Sequence, residues 1–146
     1  MILIAHRGNI NGRNEDVENH PEYIIQSLDK GYDCEIDVWN FKDKWYLGHD
    51  TYTYYIPISF LNKYGKHLWI HAKNINALYE LTKTKLNYFW NDNDIFTLTS
   101  KKYIWSLSIE KLTDRSICVM PEKTNQIPQN CLGICSDFIE RYKNLY

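Results

Sequence analysis

Ile2-Leu3-Ile4-Ala5-His6-Arg7-Gly8, Pro21-Glu22-Tyr23-Ile24-Ile25-Gln26-Ser27-Leu28 and Cys34-Glu35-Ile36-Asp37-Val38-Trp39 open the chain in that order. The first and third hold short apolar runs bounded by polar or turn residues, as buried strands do. The second has helical spacing, begins on a proline suited to the first helical position and stops before Gly31. Strand, helix and strand in this order make a parallel βαβ unit. Further strand-like runs follow at residues 45–47, 67–71, 88–90, 95–98, 103–106, 116–120 and 133–135. Helical spacing recurs at residues 58–64 and at 75–81, the latter behind Asn74 as a cap. With residues 45–47 counted as an extension of the second strand, eight core strands remain, the number that closes a (β/α)8 barrel.

Such barrels typically take ~250 residues, and this chain has 146. The shortage is local. Four residues separate Trp90 from Ile95, and four separate Leu98 from Tyr103, where a crossover helix needs a dozen or more. The expectation is one domain over residues 1–146, a compact (β/α)8 TIM-type barrel with several outer helices missing in its second half. A smaller open α/β sheet is the alternative, and it requires that some of these runs not be strands.

Apolar residues make up 44% and charged residues 24%, ordinary values for a globular protein. A formal net charge of −1 supplies no global field to recruit nucleic acid or an anionic membrane, so neither is expected as a partner. Met1-Ile2-Leu3-Ile4 reads as strand at once, without the basic region, long apolar stretch and cleavage site of a signal peptide. No apolar run approaches the ~18 residues that read as a membrane span. A cytoplasmic protein with no stable membrane anchor is expected. Cys34, Cys118, Cys131 and Cys135 include no CxxC pair and mostly adjoin apolar runs, which predicts buried reduced thiols rather than a zinc site or disulfides.

In a parallel barrel the working groups stand at the C-terminal ends of the strands. His6 and Arg7 end the first run, Glu35 and Asp37 lie in the second, and His71 and Lys73 close Trp69-Ile70-His71-Ala72-Lys73. Alternate residues of a strand share a face, so Glu35 points with Asp37, and His71 with Lys73. Two carboxylates side by side on a buried strand repel each other unless a cation lies between them. Gly48-His49-Asp50 adds a second histidine to His6. Two histidines and a carboxylate-held cation suit acid/base chemistry on a phosphate ester, so a metal-assisted phosphodiesterase is the expected function. Plainer readings compete. His6-Arg7-Gly8 is also a turn signal, Glu35 and Asp37 could pair with Arg7 and Lys73, and Glu18-Asn19 would favour the positive end of the first helix. His20 and His67 read as capping or surface residues. Holding all the plain readings together requires six unrelated coincidences within fifty residues.

The series His6-Arg7-Gly8, Glu18-Asn19, Glu35-Ile36-Asp37 and His49-Asp50 resembles the hallmark of the glycerophosphodiester phosphodiesterase family. The lysine-bearing hairpin between ExD and HD fits as well. The resemblance is strong over residues 1–50 and continues more weakly at Lys73 and at Cys135-Ser136-Asp137. It implies a small barrel of the phosphatidylinositol phospholipase C-like kind, acting on a glycerophosphodiester or related small-molecule diester. It further implies His6 and His49 as general acid and base, and Arg7 and Lys73 as phosphate contacts. Glu35 and Asp37 would hold Mg²⁺ or Ca²⁺, and Glu18 would orient the site or touch the metal. His71 stands where the family usually has an acidic metal ligand. As a ligand itself it would favour Mn²⁺, Zn²⁺ or similar ions over Ca²⁺. The same residues serve hydrolysis by water or attack by a neighbouring hydroxyl to give a cyclic phosphate. A phosphate-binding barrel without turnover is the non-enzymatic alternative.

Two expectations concern stability and assembly. Asp37→Asn relieves carboxylate repulsion and should leave the metal-free protein no less stable. The runs at 88–90, 95–98 and 103–105 lack covering helices, so their outer side chains should meet residues 138–146 or a second copy, and a homodimer is favoured.

Overall fold

The computed structural model describes residues 1–145. In chain order the first elements are β1 (Ile2–His6), α1 (Pro21–Asp29), β2 (Asp33–Phe41), β3 (Lys44–Leu47), β4 (Tyr54–Ile56) and α2 (Ile58–Tyr64). They are followed by β5 (Leu68–Ala72), α3 (Ile75–Thr82), β6 (Tyr88–Phe89), β7 (Phe96–Leu98), β8 (Ile104–Ser106), β9 (Ser116–Val119) and β10 (Gly133–Ser136). The caps explain the helix starts. Pro21 begins α1, the His20 side chain accepts from Glu22 N, and the Asn74 side chain accepts from Ala77 N at the start of α3.

The strands form one curled sheet in the order β4-β3-β2-β1-β10-β9-β8-β7, with β5 paired to β2 and β6 to β5. This corrects the barrel expectation. Among the described residues the molecule is a half-barrel of mixed strand direction with three short α-helices, not a (β/α)8 TIM-type barrel. Connection length is the physical reason. Too few residues separate β7 from β8 for a crossover, so the two form an antiparallel hairpin, Thr97 opposite Trp105. β6 pairs only with β5, and the sheet stays open between β6 and β7. Ser100 bridges this gap instead, its N–H donating to Tyr88 O (2.8 Å) and its Oγ accepting from Tyr88 N (3.0 Å). Residues 45–47 do not extend the second strand; β3 folds back antiparallel on β2, and β4 extends that meander. An open sheet was expected only if some runs were not strands. All of them are strands, and the sheet is open nonetheless.

Alternation sorts the side chains into two cores. Ala5, Cys34, Ile36, Val38, Leu68, Ile70 and Ile134 pack with Ile24, Leu61, Ala77 and Leu81 of the helices. Ile4, Trp69, Phe89, Trp105, Ile117, Val119 and Cys135 fill the inner face. Phe89 of β6 meets Trp105 of β8 at a ring-centroid distance of 4.7 Å, so aromatic packing spans the gap that the backbone leaves open. All four cysteines are free thiols, with Cys34, Cys118 and Cys135 buried.

The C-terminal segment does not cover β7. Ile139 and Tyr142 join the core under the helices, and Glu140 N donates to Ile10 O (3.2 Å). Ile95, Phe96, Leu98 and Leu107 stay 58, 45, 66 and 46% exposed; Tyr146 lies outside the described residues. No helix among the described residues is long and apolar enough to cross a membrane.

Candidate active site

Register brings the polar residues together. β1 lies parallel to β2 with His6 opposite Glu35, and β5 lies parallel to β2 on its other edge with Asp37 opposite His71. β10 runs beside β1 with Ser136 opposite Ala5, which delivers Asp137 to His6. Past the end of β1 the chain turns sharply, with Arg7 and Asn19 both in the left-handed region (φ 53° and 61°). Non-glycine residues there are strained and persist where their surroundings hold them. Arg7 N donates to Glu35 O (2.9 Å), and Asn19 N donates to Arg7 O (3.1 Å). The result points the Arg7 guanidinium back across the strand ends, its Nε 3.0 Å from Asp37 Oδ2.

The two neighbouring carboxylates have different fates. Asp37 is fully buried, and its Oδ2 also accepts from Asn19 Nδ2 (2.9 Å). Its Oδ1 lies 3.1 Å from His71 Nδ1 and 3.9 Å from Lys73 Nζ. Burial alone would raise its pKa, but the His71 contact and the Arg7 charge outweigh it and hold the carboxyl well below the usual range. Glu35 is 2% exposed and lacks such support. His6 Nε2 stands 3.8 Å from Oε2, and His71 Nδ1 stands 3.9 Å from Oε1. Burial and the Asp37 charge push its pKa up, against weaker pulls from His6, Arg7 and His71.

Glu35, Asp37 and His71 each offer a donor atom, all within 4.8 Å of one another. Glu35 Oε2 and Asp37 Oδ1 are buried without a hydrogen bond, which one cation would satisfy, so this donor set fits a divalent ion. Glu18 stands outside that cluster. Its carboxylate meets Arg7 Nη1 (3.3 Å) and Arg13 Nε (3.0 Å) and accepts from Asn9 Nδ2 (3.1 Å), which holds Arg7 in place.

Each site histidine has one nitrogen committed. His6 Nδ1 donates to Asp137 Oδ1 (2.8 Å), leaving Nε2 directed to the Glu35 side. Burial opposes charging of His6, but the Asp137 hydrogen bond and the Glu35 charge prevail and raise its pKa. His49 Nδ1 lies 2.7 Å from Asp50 Oδ1, and its side chain is 39% exposed. Partial burial and the Arg7 charge lower its pKa despite Asp37 and Asp50. Gly48 sets the approach of that loop: at φ +150° an added Cβ would lie 2.0 Å from Thr51 O.

His6, Arg7, Glu35, His49, His71 and Lys73 line one cavity of about 600 Å³ together with Asp137 and Lys123, and Asp37 is fully buried against Arg7 and His71. Compared with protein-family models, curated proteins and solved structures, the chain matches none. The geometry therefore carries the functional reading alone. His20 and His67 lie outside the cavity, one capping α1 and the other 2.8 Å from Asp33. Four residues that position the site had no role assigned from the sequence, although Asn19 and Asp137 belong to the series that carries the resemblance. Asp137 and Asn9 hold His6 and Glu18, Asn19 holds Asp37, and the Glu122 carboxylate accepts from Asp137 N (3.1 Å). Ser136-Asp137 directly after an apolar run was the available signal for the first of them.

Proposed function

We propose that this protein is a metal-dependent phosphodiesterase that cleaves a glycerophosphodiester or related small diester by histidine acid/base catalysis. The observation that carries the reading is one cavity where two histidines with oppositely shifted pKa values face a buried carboxylate pair. Groups whose environments push their pKa values apart divide acid from base. His49, held down, is neutral at neutral pH and serves as the base through Nε2. His6, held up and oriented by Asp137, keeps the proton that the leaving alkoxide takes. Lys73 and Arg7 supply positive charge for the phosphate oxygens, and Arg7 is kept rigid by Glu18 and Asp37. Glu35, Asp37 and His71 would hold the divalent ion, which supplies Lewis-acid polarisation of the ester when bound.

The test is cleavage of bis(p-nitrophenyl) phosphate by the purified protein, with and without EDTA. Turnover that EDTA abolishes and added divalent ion restores is the expected result. No cleavage with any divalent ion would leave a phosphate-binding module, and phosphorus NMR of the products separates hydrolysis from cyclisation.

The exposed side chains of Ile95, Phe96, Leu98 and Leu107 keep the homodimer in the proposal, since residues 138–145 pack elsewhere. Sedimentation at micromolar concentration should show twice the 17.5 kDa monomer mass. A monomer at that concentration would refute the dimer.

A further inference from the structure

We infer that the carboxylate pair and His71 form a site selective for later first-row transition ions such as Zn²⁺, over Mg²⁺ and Ca²⁺, with His71 Nδ1 as an inner ligand. This rests on the proposed metal site and names its occupant. His71 Nε2 lies 3.0 Å from the backbone oxygen of Asn91. A carbonyl only accepts, so Nε2 keeps its proton there and Nδ1 is the nitrogen left to face the carboxylates. Nδ1 faces Asp37 Oδ1 at 3.1 Å and Glu35 Oε1 at 3.9 Å. Two carboxylates gathered at this buried point repel each other unless a cation sits among them.

The ring is not free to turn away. It stacks on Phe89, with centroids 5.1 Å apart and planes within 9°. The carbonyl that holds Nε2 is itself anchored, because Asn91 Nδ2 donates to Thr97 Oγ1 (2.7 Å) and to Asp94 O (2.9 Å). A ligating imidazole whose other N–H is given to a backbone carbonyl is the usual outer arrangement of metal-bound histidine. The donor chemistry then chooses the ion. Ca²⁺ takes six to eight oxygens and Mg²⁺ a near-ideal octahedron of oxygens, whereas imidazole nitrogen suits the later first-row ions. Two carboxylate oxygens of this set, Glu35 Oε2 and Asp37 Oδ1, are buried without a hydrogen bond.

The experiment is calorimetric titration of the EDTA-treated, dialysed full chain with MnCl₂, ZnCl₂, MgCl₂ and CaCl₂, alongside long-range ¹H–¹⁵N NMR of the histidine rings. Zn²⁺ should bind at one site, more tightly than Mn²⁺, Mg²⁺ or Ca²⁺, and should displace the His71 Nδ1 resonance while Nε2 stays protonated. His71→Glu should reverse the ranking, weakening Zn²⁺ by more than the ~10–100-fold that loss of an outer-shell partner costs. Should that variant not fold, the wild-type ranking and the nitrogen resonances still decide. Tightest binding of Mg²⁺ or Ca²⁺, or Zn²⁺ binding that leaves Nδ1 unmoved, would overturn the inference and leave the metal site standing. No binding by any ion, with Nδ1 protonated, would overturn both; His71 would then be an imidazolium bridging the two carboxylates.

Discussion

His6→Ala and His49→Ala should each lower diester cleavage by about 10²–10⁴-fold, the usual worth of a general acid or base. Neither change should unfold the protein. The His49 side chain is 39% exposed on a loop, and loss of the His6 ring leaves Asp137 Oδ1 with its hydrogen bond from Asn9 Nδ2 (2.8 Å). The two losses should not multiply in the double variant, because groups that act as a unit on one reaction are strongly non-additive. Initial rates on bis(p-nitrophenyl) phosphate, with circular dichroism to confirm folding, provide the check. Activity near wild type in either single variant would remove that histidine from the acid/base pair and leave the cavity as a phosphate pocket.

The placement of these groups was readable because alternation within a short run decides which residues share a face. Glu35 with Asp37, and His71 with Lys73, needed nothing beyond period two. Partner and direction were not readable. Phe96-Thr97-Leu98 has the same pattern in a parallel or an antiparallel strand, and only the short link to β8 bore on the choice. That link was read as a missing helix, whereas its larger consequence was reversal of β7 and an open sheet. The pairing of Asp137 with His6, and Asn9 altogether, were hidden for a related reason. Their value depends on β10 lying beside β1, a pairing between the two ends of the chain that no local pattern encodes. The unequal environments of Glu35 and Asp37 depend on the left-handed turn at Arg7, which carries the guanidinium to one carboxylate and not the other.

That inequality reverses the stability expected at Asp37. With Arg7 Nε, Asn19 Nδ2 and His71 Nδ1 all within 3.1 Å of its oxygens, Asp37 is the supported member of the pair. Asp37→Asn should destabilise the metal-free protein by about 3 kcal/mol, the low end for breaking a buried pair, because Arg7 keeps only Glu18 as a carboxylate partner. The pH dependence has a definite sign. A carboxyl whose folded pKa is depressed contributes stability above its unfolded value near 3.9, and that contribution is lost as pH falls through the folded value. Glu35 has the opposite sign. Its folded pKa is raised, so its contribution is complete below the unfolded value near 4.3 and is lost as pH rises through the folded one. Above its raised folded value an ionised Glu35 is therefore a cost in the metal-free protein, and Glu35→Gln should leave it equally stable or more so. A bound divalent ion should stabilise wild type, and Glu35→Gln should lose most of that gain by weakening the site. Urea denaturation of the three proteins in EDTA and in added metal measures all of these terms. Equal losses for Asp37→Asn and Glu35→Gln in EDTA would show that both carboxylates are structural ion-pair partners, and the case for a cation between them would fail.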